Sequence, residues 1–182
     1  MKCKSCKVKF VPTIGEKQVT CLNAGCIIEW NKKESEKISK EETKKIKESL
    51  KTNSDYFKDA LRYFNTYIRA RDIDKPCISC LNSPGEYKIT SGHFYPQGDY
   101  NMLAFNEDNA HAQCWFNCNK NKHGNLHEYR INLIKRIGIK RVDELNRLSR
   151  EPIRYSNEEL VSKKEYYKRK GKLIFKLKTV SI

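Results

Sequence analysis

Two close pairs of cysteines, Cys77-x2-Cys80 and Cys114-x3-Cys118, lie a few tens of residues apart, with His93 between them and Asn119 directly after the last. Each pair suits a tight knuckle that offers two thiolates to one tetrahedral ion, so the set has the spacing of a structural zinc site. Such a clamp would draw His93 and Asn119 together from distant points of the chain. Neutral imidazole, with an unperturbed pKa near working pH, can take a proton from water. A carboxamide oxygen suits a hard divalent ion such as magnesium. A base for water and an ion to hold developing charge are what phosphodiester hydrolysis requires. His123, at i+4 from Asn119, would face the same way on a helix and is a candidate second ligand of that ion. His111 reads three ways: a loop hydrogen-bonder, a zinc neighbour, or part of the ion site. Asn109 is expected to orient the His93 loop by hydrogen bonds.

The elements that must position these groups follow from the intervening pattern. Tyr87-Lys88-Ile89-Thr90 reads as a short strand running into Gly92 and His93, Pro96, Gly98 and Asp99 as a loop, and Met102 to Phe105 as the returning strand. The second knuckle should lead into a helical segment starting near Asn119. Gly124 interrupts it, and Leu126, Tyr129, Leu133, Ile134 and Ile137 then repeat as an amphipathic helix up to Gly138, a C-cap. The order is strand, strand, helix, held at its base by four cysteines. Upstream, a helix should begin near Ser54, with Phe57, Ala60, Leu61, Phe64 and Ile68 as a stripe packing on this module. Its far end brings Arg69 and Arg71 beside the site, either to clamp phosphate or to pair with Asp72 or Asp74, and Pro76 blocks continuation. Lys120 and Lys122, next to Asn119, are further candidate contacts to a phosphate backbone.

The N-terminal segment, 1–30, holds a second set, Cys3-x2-Cys6 and Cys21-x4-Cys26, in a stretch too short for a hydrophobic core to hold alone. A bound zinc is the expected organiser, giving a ribbon or knuckle. Residues 31–53, dominated by Lys, Glu, Ser and Thr, read as a charged linker or solvated helix. The core is placed at 54–138. Residues 139–182 form a basic helical region with helices around Val142 to Leu148 and from near Ser156, its lysines interleaved with Tyr155, Tyr166, Tyr167 and Phe175.

A chain of 182 residues with 38% apolar and 32% charged residues has little to build a large core. Its 37 Lys and Arg against 22 Asp and Glu give a formal net charge of +15, which argues against an ordinary enzyme of small neutral substrates and for a polyanionic partner, nucleic acid first. A merely soluble basic protein is the bland alternative. With no apolar run of about 18 residues and no apolar signal core, the chain is expected neither to span a membrane nor to be secreted. The eight cysteines are then read as thiolates rather than disulfides.

His93, Asn109 and Asn119 make the arrangement that HNH nucleases use. Beyond that triad, the run Asn65-Thr66-Tyr67-Ile68-Arg69-Ala70-Arg71-Asp72, then Pro76-Cys77-Ile78-Ser79-Cys80, Gly92-His93, Phe105 to Asn109, and Cys118-Asn119-x2-Lys122-x-Gly124-Asn125-Leu126 closely resembles the NinG family of lambdoid phages, also called Rap. The likeness extends over nearly the whole chain. It implies an α+β, zinc-stapled ββα-metal (HNH) nuclease core flanked by helices. It also implies a recombination endonuclease of the bacterial host's cytoplasm that cuts D-loops or Holliday junctions with magnesium or manganese. The two cysteine sets give an expectation of two structural zinc ions per chain. The sequence does not show oligomeric state, though two-fold-related branched substrates suit a homodimer by analogy, and recombination proteins of host or phage are candidate partners. Within the resemblance His93 is the general base, Asn119 a magnesium ligand, and Cys77, Cys80, Cys114 and Cys118 hold zinc. The chain departs from the usual pattern twice. Three residues rather than two separate Cys114 and Cys118, and Gly92 stands where many ββα-metal nucleases carry an aspartate ligand. The rival expectation is a non-catalytic zinc protein that binds branched DNA.

Overall fold

The computed structural model describes residues 1–180 and divides into two compact units, Met1–Lys51 and Thr52 onward. In the first unit a Lys2–Lys9 antiparallel bridge and the Cys3 amide, which donates to the Val8 carbonyl over 2.9 Å, fold the chain around Cys3-x2-Cys6. Helix α1 (Ala24–Ser49) starts where the Asn23 side chain accepts the Cys26 N–H, placing Cys26 in the first turn. It runs without a break through the charged segment that follows. Cys26 is its one buried residue, so α1 is a solvated helix, with Ile38 and Ile46 exposed and a Glu29–Lys33 pair one turn apart.

The second unit begins with α2 (Asn53–Arg71), and its cap lies two residues before the expected Ser54. Thr52 accepts the Asp55 N–H while the Asp55 carboxylate takes the Thr52 N–H, a reciprocal box that satisfies both groups. Two strands follow, β1 (Ile89–His93) and β2 (Ala110–Cys114), paired antiparallel from Ile89 opposite Cys114 to His93 opposite Ala110. A seven-residue π-helix, Trp115–Asn121, continues directly from β2. Then come α3 (Leu126–Ile137), α4 (Ile139–Leu148) and α5 (Asn157–Val180). The molecule is α+β, mostly helical around a small two-stranded sheet.

Three expectations change. The returning strand is Ala110–Cys114, while Asn101–Leu103 forms a single 3₁₀ turn that drops Leu103 into the core. β2 is covered on both faces and buries all five residues, so it lacks the alternation by which a half-exposed strand is read. The α2 stripe packs chiefly on α5 and the Ala104–Phe105 turn rather than on the cysteine module: Ala60, Leu61, Phe64 and Ile68 share a core with Leu160, Tyr167 and Phe105. Phe64 meets Tyr167 edge-on, with centroids 4.9 Å apart. Finally, the helical segment after β2 begins at Trp115 rather than near Asn119. The extra residue between Cys114 and Cys118 is taken up by the wider π turn, which keeps both cysteines buried.

A second core joins Ile78, Leu103, Tyr129, Leu133, Val142 and Leu145, tying α3 and α4 to each other and to the Asn101–Leu103 turn. None of the described helices is long and apolar enough to cross a membrane.

Candidate functional site

Each unit gathers four cysteines. The sulfurs of Cys3, Cys6, Cys21 and Cys26 lie within 4.8 Å of one another, as do those of Cys77, Cys80, Cys114 and Cys118. The recorded Sγ separations are 3.9 Å for Cys6–Cys21 and Cys77–Cys118 and 3.4 Å for Cys80–Cys114. A tetrahedron with Zn–S bonds of about 2.3 Å has edges of about 3.8 Å, whereas a disulfide needs about 2.0 Å. Both sets therefore fit one tetrahedral ion each and could bind zinc. Burial opposes ionisation of the Cys77 thiol, but backbone amides of Cys80, Cys114 and Ser79 outweigh it and hold its pKa below the ordinary value. The Cys114 N–H lies 3.2 Å from Cys77 Sγ.

Beside the second set, residues from α2, β1, the loop after it and the turn after the π-helix line a cleft of about 360 Å³. His93, Asn119 and His123 all line it, with Asn65, Ser91 and Gln97. His93 ends β1, and its ring rests 5.9 Å from that of Phe64 on α2. Its Nε2 is 3.2 Å from the Ala104 carbonyl oxygen, which can only accept. The Nε2–H tautomer is thereby selected, and Nδ1 keeps the basic lone pair. Burial pushes the His93 pKa down to about 4, with the Ala104 carbonyl working against that and His111 adding to it. The ring is neutral at pH 7.

Asn119 is aimed by a residue that the sequence did not single out. Its Nδ2 donates to Gln113 Oε1 over 2.9 Å, which leaves the carboxamide oxygen as the end for a ligand. Gln113, fully buried on β2, is itself fixed because its Nε2 donates to the Gly124 carbonyl at 2.6 Å and Ser79 Oγ at 2.7 Å. Gly92 explains itself here. A Cβ at that position would lie 2.3 Å from Gln113 Oε1 and 2.9 Å from Gln113 Cβ, so an aspartate could not stand before His93 without displacing Gln113. No single-residue signal marks Gln113; only its place one residue before Cys114 hints at the site.

Three cleft-lining residues hold an orphaned buried atom: Asn65 Oδ1, Ser91 Oγ and Gln97 Oε1 have no hydrogen-bond partner among the described residues. Buried oxygens left without partners cost free energy unless a polar guest meets them. With Asn119 these residues give the cleft wall uncharged side-chain oxygens, the hard kind of donor that a cation such as magnesium takes. His123 reaches the cleft by another route than helical i+4 spacing. It lies past the π-helix with φ 47°, at the head of a left-handed turn continued by Gly124 and Asn125.

The remaining candidates lie elsewhere. Asn109 is fully buried: its Oδ1 accepts the Tyr95 N–H at 2.8 Å, and its Nδ2 donates to the Tyr95 and Leu103 carbonyls, clamping the loop after His93. His111 is 4% exposed and does not line the cleft; its Nδ1 accepts from Arg71 Nη2 at 3.1 Å and its Nε2 donates to the Asp108 carbonyl. Of its three readings, the hydrogen-bonder is the one the geometry matches. Arg71 pairs with Asp72 through two bonds of 2.7 and 2.8 Å and donates to the Glu107 and Ala110 carbonyls, so its guanidinium is spent inside the fold. Asp72 is fully buried and also accepts the Ala112 N–H, which makes this cluster the joint between α2 and β2. Arg69 is half-buried and donates to Thr66 Oγ1. Lys120 and Lys122 are exposed and do not line the cleft.

Against known proteins, the family model described as Bacteriophage Lambda NinG protein matches residues 1–177. Protein ninG of Escherichia phage 933W is 36% identical over 160 residues, 79% of this chain and 79% of that protein. Protein ninG of Salmonella phage P22 is 40% identical over 124 residues, covering 68% and 60%, and that of Escherichia phage lambda 43% over 97 residues, covering 53% and 47%. No solved structure matches.

Proposed function

The chain belongs to the NinG family of lambdoid phage proteins, and from that premise we propose that it is a structure-selective DNA endonuclease of the HNH type, acting on branched recombination intermediates such as D-loops and Holliday junctions. The observation that carries the reading is the cleft lined by both a neutral histidine and Asn119, whose amide nitrogen is taken by Gln113. His93, tied through Nε2 to the Ala104 carbonyl, has Nδ1 free to take a proton, and Asn119 is held by Gln113 with its oxygen available.

In this reading a water gives its proton to His93 Nδ1 as its oxygen attacks phosphorus. The P–O bond to the leaving sugar oxygen breaks, and that oxygen takes up a proton from solvent. Asn119 would hold magnesium or manganese, in a cleft that Asn65, Ser91 and Gln97 also line, and the ion would supply charge to offset that on the phosphate and leaving oxygen. Asn109 keeps the His93 loop in place from outside the cleft. The second cysteine set, Cys77, Cys80, Cys114 and Cys118, loaded with zinc, would tie the end of β2 to the π-helix that carries Asn119. A formal charge of +15 supplies non-specific attraction to the DNA arms.

The test is incubation of purified protein with a labelled four-way junction and a linear duplex, in magnesium and in manganese. Metal-dependent product from the junction supports the reading. Binding without product in either metal would leave a non-catalytic, zinc-containing protein for branched DNA.

A further inference from the structure

Between two fully packed cysteines the chain displays two aromatic rings to solvent. Cys114 and Cys118 are each 1% exposed, while Trp115 is 41% and Phe116 54% exposed. The rings sit side by side, centroids 6.1 Å apart and tilted by 36°. Tyr87 is the partly buried aromatic that packs on the cysteine cluster. Cations surround them: Lys88 Nζ is 5.1 Å from the Trp115 ring centre, and Lys120 Nζ is 5.5 Å from Trp115 and 5.9 Å from Phe116. Both rings lie in the first turn of the π-helix, between the two cysteines. The same helix carries Asn119 into the cleft four residues after Trp115, so rings and cleft share one short element.

From this arrangement we propose that Trp115 and Phe116 are a stacking wedge for unpaired nucleobases at a DNA branch point, flanked by Lys88 and Lys120 as phosphate contacts; the inference rests on the endonuclease reading above. Every base has a π face, and that face is open to a protein ring only where the base has left the duplex stack. A wedge of this kind distinguishes a junction from a continuous duplex without reading sequence. Charge decides the partner: rings bracketed by ammonium groups on a chain of net charge +15 suit a polyanion whose bases are exposed.

The experiment uses the full chain with Trp30→Phe, so that Trp115 is the one remaining tryptophan, and no added divalent ion, so that cleavage does not intervene. A four-way junction with 2-aminopurine at the branch and a linear duplex of the same composition are the probes. Binding of the junction, and not of the duplex, should quench Trp115 emission and change that of 2-aminopurine. The Trp115→Ala/Phe116→Ala variant should bind the junction roughly 10- to 100-fold more weakly with duplex affinity unchanged, the scale of one or two lost base–aromatic stacks. Trp115→Phe should recover most of the loss. Unchanged emission, or an affinity loss shared equally by junction and duplex, overturns the wedge. Should the double variant lose zinc, the emission result on the Trp30→Phe chain decides alone. A protein that binds neither DNA removes the endonuclease reading itself, an outcome distinct from junction binding that ignores the rings.

Discussion

Gln113 Oε1 accepts the Asn119 Nδ2–H at 2.9 Å, and it occupies the space that any side chain at residue 92 would need. One buried glutamine thus orients the carboxamide of the cleft and requires glycine before His93.

That relationship predicts the outcome of restoring an acidic residue there. Gly92→Ala should cost roughly 1 to 3 kcal/mol, as overpacking does, because the atoms met are those of a side chain locked by hydrogen bonds on both sides. Gly92→Asp should lower stability at least as much and should not strengthen divalent-ion binding. Urea denaturation with manganese titration measures both; a Gly92→Asp protein of unchanged stability and tighter manganese binding would reverse the assignment.

His93→Ala should slow junction cleavage about 100- to 10,000-fold, the usual worth of a general base. Zinc content and the unfolding midpoint near neutral pH should stay close to those of the parent. Cleavage by this variant at the parent's rate would remove His93 from the chemistry.

Stability should fall on mild acidification. The His93 pKa is about 4 in the fold, lowered by burial, against about 6.5 unfolded. Above pH 6.5 neither state holds the proton and the contribution is complete. Between 6.5 and 4 the unfolded chain takes the proton first, and stability drops by up to about 3 kcal/mol before levelling off. His111, buried and shifted down too, adds a slope of the same sign. Denaturation midpoints at pH 7 and pH 5 should therefore differ less in His93→Gln than in the parent, while still differing.

Two zinc ions per chain are expected by elemental analysis. Cys3→Ser should remove one and disorder the first unit, which has little else inside it, while the second unit keeps its own unfolding transition. Cys77→Ser should remove the other and abolish junction cleavage. A count below one zinc would undo the scheme.

The residues that line the cleft include no carboxylate. Neutral oxygens bind magnesium weakly, so most of the attraction must come from the phosphodiester itself. Manganese titrated into the free protein should bind more weakly than in the presence of a non-hydrolysable junction, by tenfold or more, and Asn119→Leu should erase the difference. Equal affinities would indicate an acidic ligand from elsewhere.

Residue types and their spacing were enough to define the cysteine sets, the presence of His93 and Asn119 on one cleft, the α2 stripe and the α3 helix. Metal-ligand spacing and helical periodicity are local properties, and local properties survive in a one-dimensional string. The second strand was hidden because a strand buried on both faces shows no alternation. Arg71 and His111 looked available in sequence, yet a fully buried Asp72 claims one directly and helps enclose the other.

What the sequence determined by itself is the chemistry on offer: two soft-metal clamps, one imidazole, one carboxamide and a strongly basic surface. What only the tertiary structure decided is how those groups are aimed. The His93 tautomer depends on the Ala104 carbonyl, the Asn119 oxygen on Gln113, and the display of Trp115 and Phe116 on a π turn. The first two are contacts between a side chain and an atom brought near by folding, and hydrogen-bond direction depends on where that atom lies in space, which spacing along the chain does not encode.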